Sequence, residues 1–258
     1  LRTGTDRAVL FATDTYNDSS LDPLANPISD AEAIAQELET TYGFEVEVVR
    51  DPTRAEVFAT LERYARIPGA EDDQLFVFFA GHGTFVRSGD VGRGFVIPRD
   101  GHAFSRSTWI SYENIAAELD AMPAHRVLLV LDVCFGGAFV RQARSGDPYG
   151  TASPQDIVRR YGPYRSRLAV TSGAEEYVSD GRPGEHSPFT YHLLGALRGP
   201  GGPDGDGLLT FSEIADAVKR VRGPSPLAGD FGRSEPGGSF FLIPRAPEAS
   251  GDTPIGGE

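Results

Sequence analysis

Short unbroken apolar runs alternate along this chain with stretches in which apolar positions recur every three to four residues. The first kind predicts covered strands and the second amphipathic helices. "RAVLFATD" (7–14) has no helical period and predicts a strand. "SDAEAIAQELETTYG" (29–43) predicts a helix, capped by Ser29 or Asp30, with Glu32 and Glu37 placed well near its start and Gly43 as its stop. "FEVEVV" (44–49) alternates as a strand, and "DPTRAEVFATLERYAR" (51–66) predicts a helix capped by Thr53. "QLFVFFA" (74–80) is apolar throughout, as expected of a strand covered on both faces. Further strands are predicted at "GFVIP" (94–98), "RVLLVLD" (126–132), "RLAVTS" (167–172) and "GSFFLIP" (238–244). Further helices are predicted at "SYENIAAELDAM" (111–122), "PFTYHLLGALR" (188–198) and "FSEIADAVKRVR" (211–222).

Strand and helix alternate, so the expected fold is α/β: a mostly parallel central sheet with helices on both faces. Chemistry in such sheets collects at the carboxyl ends of the strands. Residues 138–166 are polar and rich in Gly and Pro, and predict a long functional or disordered loop. Residues 245–258 have the composition of a loose tail, leaving one domain over 1–244. There are no internal repeats.

Composition narrows the function classes. No stretch approaches a membrane span and no signal segment opens the chain, so a cytoplasmic protein without a membrane partner is expected. A single cysteine rules out an internal disulfide framework and suits a reducing compartment. The formal net charge of −13 argues against a nucleic-acid partner and is compatible with cationic substrates, as well as with a plain solvated acidic shell. Of 24 basic residues only Lys219 is a lysine.

The lone Cys134 lies just past the end of the "RVLLVLD" strand, two residues after Asp132 and just before Gly136 and Gly137. A free cysteine often only fills space. A second strand end changes the weight of this one: "QLFVFFA" runs into Gly81-His82-Gly83. If these strands are neighbours, His82 and Cys134 meet at one sheet edge. A thiol needs a base to become a thiolate, and imidazole titrates near working pH. The backbone N–H groups of Gly83 and Cys134 then suit an oxyanion hole.

"FFAGHG" followed by "LLVLDVCFGG" resembles the paired histidine and cysteine motifs of caspase-like cysteine proteases. Cys134 follows His82 by 52 positions, close to the spacing of about 50 known in caspases. Where caspases carry glutamine, two residues before the cysteine, this chain has Asp132, which resembles metacaspases, paracaspases and their prokaryotic relatives. "GFVIPRD" (94–100), "RLAVTSGAEE" (167–176) and "SPFTYHLLGAL" (187–197) are similar to flanking family segments, so the likeness covers roughly 7 to 244. It implies a three-layer αβα sandwich and a cysteine endopeptidase acting through a Cys134–His82 dyad. It also implies an acidic P1 pocket that takes arginine, less readily lysine, with Asp132 as its principal acid. Asp30 matches the paracaspase acid at the start of the first helix, although helix capping explains it equally. Glu175, or else Glu176 or Asp180, matches the acid after the "VTSG" strand end, although a solvated loop acid explains it equally. The implied partners are proteins with an exposed arginine. An upstream activating protease is another, since relatives commonly mature by a cut in the loop after the cysteine. Here that loop offers Arg141, Arg144, Arg159, Arg160 and Arg165, with Arg167 disfavoured because it opens a strand. No third residue orienting His82 is evident.

No cofactor is expected. Some metacaspases need calcium, and "GGPDGDGLLTFSE" (201–213) puts Asp204, Asp206, Gly207 and Glu213 at the right positions of a calcium loop. Gly202, however, stands where the first ligand belongs, so a turn capping a helix near Thr210 is the preferred reading. His102, His125, His186 and His192 have no metal-ligand spacing. Two rival functions stay open: a caspase-fold pseudoenzyme that binds a partner, and a hydrolase or transferase of small acyl substrates on the same fold.

Overall fold

The computed structural model describes residues 3–88, 91–134, 141–142, 149–150, 152–173, 179–199 and 205–245. The first apolar run forms β1 (Asp6–Ala12). The helix after it, α1 (Pro27–Glu37), passes into a π turn over Leu38–Tyr42 that Gly43 ends at φ 74°. β2 (Glu45–Arg50), α2 (Arg54–Ala65) and β3 (Gln74–Gly81) follow. β4 (Gly83–Ser88), β5 (Val91–Val96) and β6 (Ile110–Ser111) then form a separate antiparallel sheet. Next come α3 (Tyr112–Ala121), β7 (Arg126–Val133), β8 (Arg141–Gln142), α4 (Pro154–Tyr161), β9 (Ser166–Thr171) and α5 (Pro188–Leu197). β10 (Leu209–Thr210), α6 (Phe211–Val218), β11 (Leu227–Asp230) and β12 (Phe241–Leu242) complete the described chain.

The central sheet has the order β2-β1-β3-β7-β9-β11-β8. Its first five strands are parallel, and β11 runs antiparallel to both its neighbours. Period-two alternation splits the strand side chains between two cores. Leu10, Phe76, Phe78, Leu128 and Val130 pack with α1, α5 and α6 on one face. Val9, Phe11, Val77, Phe79, Leu129 and Leu131 pack with α2 and α3 on the other. The sheet and the helices on its two faces make three layers, as expected from the alternation of strands and helices. Among the described residues no helix is long and apolar enough to cross a membrane.

Three local expectations are corrected. Neither Ser29 nor Asp30 caps α1, which starts at Pro27; Asp14, at the end of β1, accepts the Ile28 N–H at 3.0 Å instead. The stretch 138–166 is not all loop, because Ser153 caps α4, whose Ile157 and Val158 are buried beside Leu208 and Phe241. Finally, residues 238–244 supply only β12, which pairs with β10 outside the central sheet, and the last antiparallel partner of β9 is β11. Thr53 caps α2 as expected, in a capping box with Glu56, and Ser111 caps α3.

Candidate active site

β3 and β7 are neighbours, in a register that pairs Ala80 with Asp132 and Gly81 with Val133. The next residue on each strand is His82 and Cys134, so the topology delivers both to one sheet edge. Two glycines make the approach possible. Gly81 has φ 143°, a conformation that side chains resist, and a Cβ there would lie 2.9 Å from the Tyr16 hydroxyl. A Cβ on Gly83 would lie 2.3 Å from the Cys134 carbonyl oxygen and 3.1 Å from the Cys134 nitrogen, so only glycine lets the two main chains close up.

Three contacts fix this pair from behind. The His82 Nε2 atom is 2.8 Å from the Asp22 carbonyl. A carbonyl can only accept, so in the neutral ring Nε2 carries the proton and Nδ1 keeps its lone pair. The His82 N–H donates to the Tyr16 hydroxyl at 2.7 Å, and the two rings lie 4.8 Å apart. On the other strand the Tyr112 hydroxyl, fully buried, donates to the Cys134 carbonyl at 2.8 Å. Burial pushes the Tyr16 and Tyr112 hydroxyls well above the usual tyrosine range, which keeps both protonated, Tyr112 donating to Cys134 and Tyr16 to the Thr13 carbonyl at 3.2 Å. Cys134 itself is buried.

His82 and Cys134 line one cleft together with Asp30, Asp132, Asp180 and Ser187. Asp132 follows Leu128 and Val130 in the alternation, which turns it toward α1 and α5 rather than toward α2 and α3. There it accepts hydrogen bonds at Oδ2 from the Ser187 hydroxyl and, at 3.0 Å, from the Thr190 hydroxyl. Asp30, on α1, accepts the Ser187 N–H at 3.1 Å and lies 2.6 Å from His186 Nδ1. Burial, reinforced by the nearby Asp30, pushes Asp132 up to about 7, against the hydrogen bonds from Ser187 and Thr190. Burial and the charge of Asp180 push Asp30 to about 7 as well. His186 is pushed down by burial and by Arg198. Both shifts in the Asp30–His186 pair therefore favour the uncharged partners.

Of the site residues named from sequence, His82, Gly83, Cys134, Asp132 and Asp30 are brought together, and Glu175 and Glu176 lie outside the described residues. Asp180 joins the cleft, anchored where its carboxylate accepts the Ala25 N–H at 2.9 Å. Tyr16, Asp22, Tyr112, His186, Ser187 and Thr190 carried no signal as site residues; each acts through contacts of long sequence separation that no local motif announces. The 201–213 loop reads as a helix cap: Glu213 accepts from both the N–H and the hydroxyl of Thr210 at 2.8 Å. Asp204 and Gly202 lie outside the described residues.

A mostly parallel sheet whose adjacent strand ends carry a histidine and a cysteine beside an acid-lined cleft places this protein among the caspase-like proteins. The chain belongs to the caspase domain family, whose model matches residues 5–226, a family of cysteine peptidases acting on protein substrates. Protein GSU0716 from Geobacter sulfurreducens matches with a TM-score of 0.60 at 19% identity, covering 94% of this chain and 98% of its own. Caspase-1 from Spodoptera frugiperda matches with a TM-score of 0.60 at 15% identity, covering 90% of this chain and 89% of its own. At such identities the likeness concerns the fold. No curated protein matches the chain.

Proposed function

We propose that this protein is a cysteine endopeptidase that cleaves after arginine through a Cys134–His82 dyad. The observation that carries the reading is the convergence of His82 and Cys134 with three carboxyl groups, Asp30, Asp132 and Asp180, on one cleft. His82 takes the thiol proton at Nδ1, leaving a thiolate that attacks the scissile carbonyl carbon. The carbonyl oxygen becomes an oxyanion, received by the N–H groups of Gly83 and Cys134. Collapse breaks the C–N bond, and the proton on His82 passes to the leaving amine. Water, deprotonated by His82, then releases the acid and restores the thiol. Asp132 and Asp30 receive the P1 guanidinium, which suits paired carboxylates because arginine presents a fork of donors.

Cys134→Ala and His82→Ala are each expected to abolish hydrolysis of an arginyl peptide while the variants unfold at the wild-type temperature. Near-normal turnover by either variant would defeat the dyad. The double variant should be little worse than either single one, since residues acting as a unit are not additive.

The same activity extends to the enzyme's own loop. Arg159 and Arg160 lie inside α4, and Arg165 is tied down by reciprocal bonds with Glu235: its N–H donates to that carboxylate at 2.7 Å and its carbonyl accepts the Glu235 N–H at 2.9 Å. Arg167 is fully buried and donates to the carbonyls of Met122, Ala124 and His125. The main chain of Arg141 lies in β8, in register with Asp230 of β11. The candidate that remains is Arg144, outside the described residues, and we assign the maturation cut to the bond after it, made by the enzyme itself or by an upstream protease.

A further inference from the structure

The first turn of α5 touches both buried acids of the cleft. Ser187 caps this helix by accepting the Thr190 N–H at its hydroxyl oxygen, at 2.9 Å. The same hydroxyl donates to Asp132 Oδ2, and the Thr190 hydroxyl donates to that oxygen at 3.0 Å. The Ser187 N–H and the His186 ring serve the two oxygens of Asp30. Ser187 is 3% exposed and Thr190 0%, so water is no ready substitute for either donor. Helix formation needs the cap but not the second hydroxyl, because valine has the shape of threonine and would fill the same space.

Resting on the arginine reading above, we propose that Ser187 and Thr190 are positioning residues of the P1 pocket: their hydroxyls hold Asp132 in the orientation and ionised form that receive a guanidinium, as the Ser187 N–H does for Asp30. A carboxyl group taken out of water prefers to keep its proton, and a protonated acid has no charge to offer arginine. Donors aimed at the charged form oppose that preference. The other titratable groups facing these acids among the described residues are Asp180, His186, His82 and Cys134, with Arg198 acting on His186. Replacing Thr190 changes none of them.

Thr190→Val is the primary test, because it removes the hydroxyl and leaves the helix cap in place. Ser187→Ala removes both, and Ser187→Thr keeps both. With an arginyl peptide followed from about pH 5 to about pH 9, the acid limb of kcat/KM should move to higher pH in Thr190→Val and Ser187→Ala. KM should rise about tenfold, the ordinary consequence of losing one hydrogen bond to a charged group, while kcat changes less. Ser187→Thr should behave as wild type. A merely structural role predicts the opposite split, with kcat falling as folded enzyme is lost and both KM and the acid limb unmoved, and that result would overturn the proposal. Carbon NMR titration of the Asp132 carboxyl, in the Cys134→Ala background with and without Thr190→Val, needs no turnover. A midpoint raised by Thr190→Val supports the proposal and an unmoved midpoint overturns it. Should wild type cleave no arginyl peptide, the proposed function fails while this titration still decides the role of Thr190.

Discussion

Asp132 follows the apolar run 127–131 and is 8% exposed, in a place where a carboxyl group lowers the stability of the protein that holds it. Its affinity for a proton is raised on folding, from 3.8 to about 7. The folded state therefore binds this proton more tightly than the unfolded chain, and its contribution to stability is present in acid and lost as pH rises from about 4 through about 7. Asparagine resembles the protonated form and has no such dependence. Asp132→Asn is thus expected to melt higher than wild type near pH 8, by an amount reflecting a few kcal/mol, with the difference shrinking toward pH 5. The same substitution should cost arginine cleavage on the order of 2 to 5 kcal/mol in kcat/KM, more than Asp30→Asn, Asp180→Asn or Glu175→Gln. Thermal melts across pH and steady-state kinetics on one preparation check both effects. An Asp132→Asn enzyme with unchanged kcat/KM on arginine would remove Asp132 from the pocket.

Elements were legible in the sequence wherever burial and period agreed. β3 is apolar over 75–80 and β7 over 127–131 because both faces are covered, and α2 announces itself through Thr53. Legibility failed where tertiary contact replaced local chemistry. Asp14 does for α1 what no residue beside the helix does, β11 buries only Ala228 and Gly229, and α4 is a single short amphipathic stretch inside a polar segment. The meeting of His82 and Cys134 at one sheet edge was readable because two adjacent strand ends carry them within short motifs. The bond from Ser187 to Asp132 was not, because the two are 55 residues apart. A protease reads extended backbone, so Arg159 and Arg160 must unwind a helix before they can serve. Intact-mass measurement should find wild type cut after Arg144, with both fragments retained because β7 and β9 are adjacent strands of one sheet. Arg144→Ala and Cys134→Ala should stay single chains, Cys134→Ala unless another protease acts, and Arg159→Ala and Arg160→Ala should be cut as wild type. A fully active enzyme that is never cut would show that the loop is not an activation site.

Across the whole molecule, a formal charge of −13 gives cationic peptides a favourable approach, and the acids of the cleft continue that field inward. The acidity does not by itself make a calcium enzyme. Glu213, the twelfth position of the loop that resembles a calcium site, is committed to capping α6. Turnover is therefore expected to be unaffected by a chelator, and activity that a chelator removed and calcium restored would contradict this. Whether the cleft reads a positive P1 side chain for Cys134 is decided by one peptide series. Matched fluorogenic peptides differing only at P1 should be compared with wild type and Cys134→Ala. Arginine should be cleaved fastest, lysine less well, and aspartate and neutral residues scarcely at all, with every signal absent in Cys134→Ala. Cleavage after aspartate, or arginine cleavage that survives in Cys134→Ala, would contradict it.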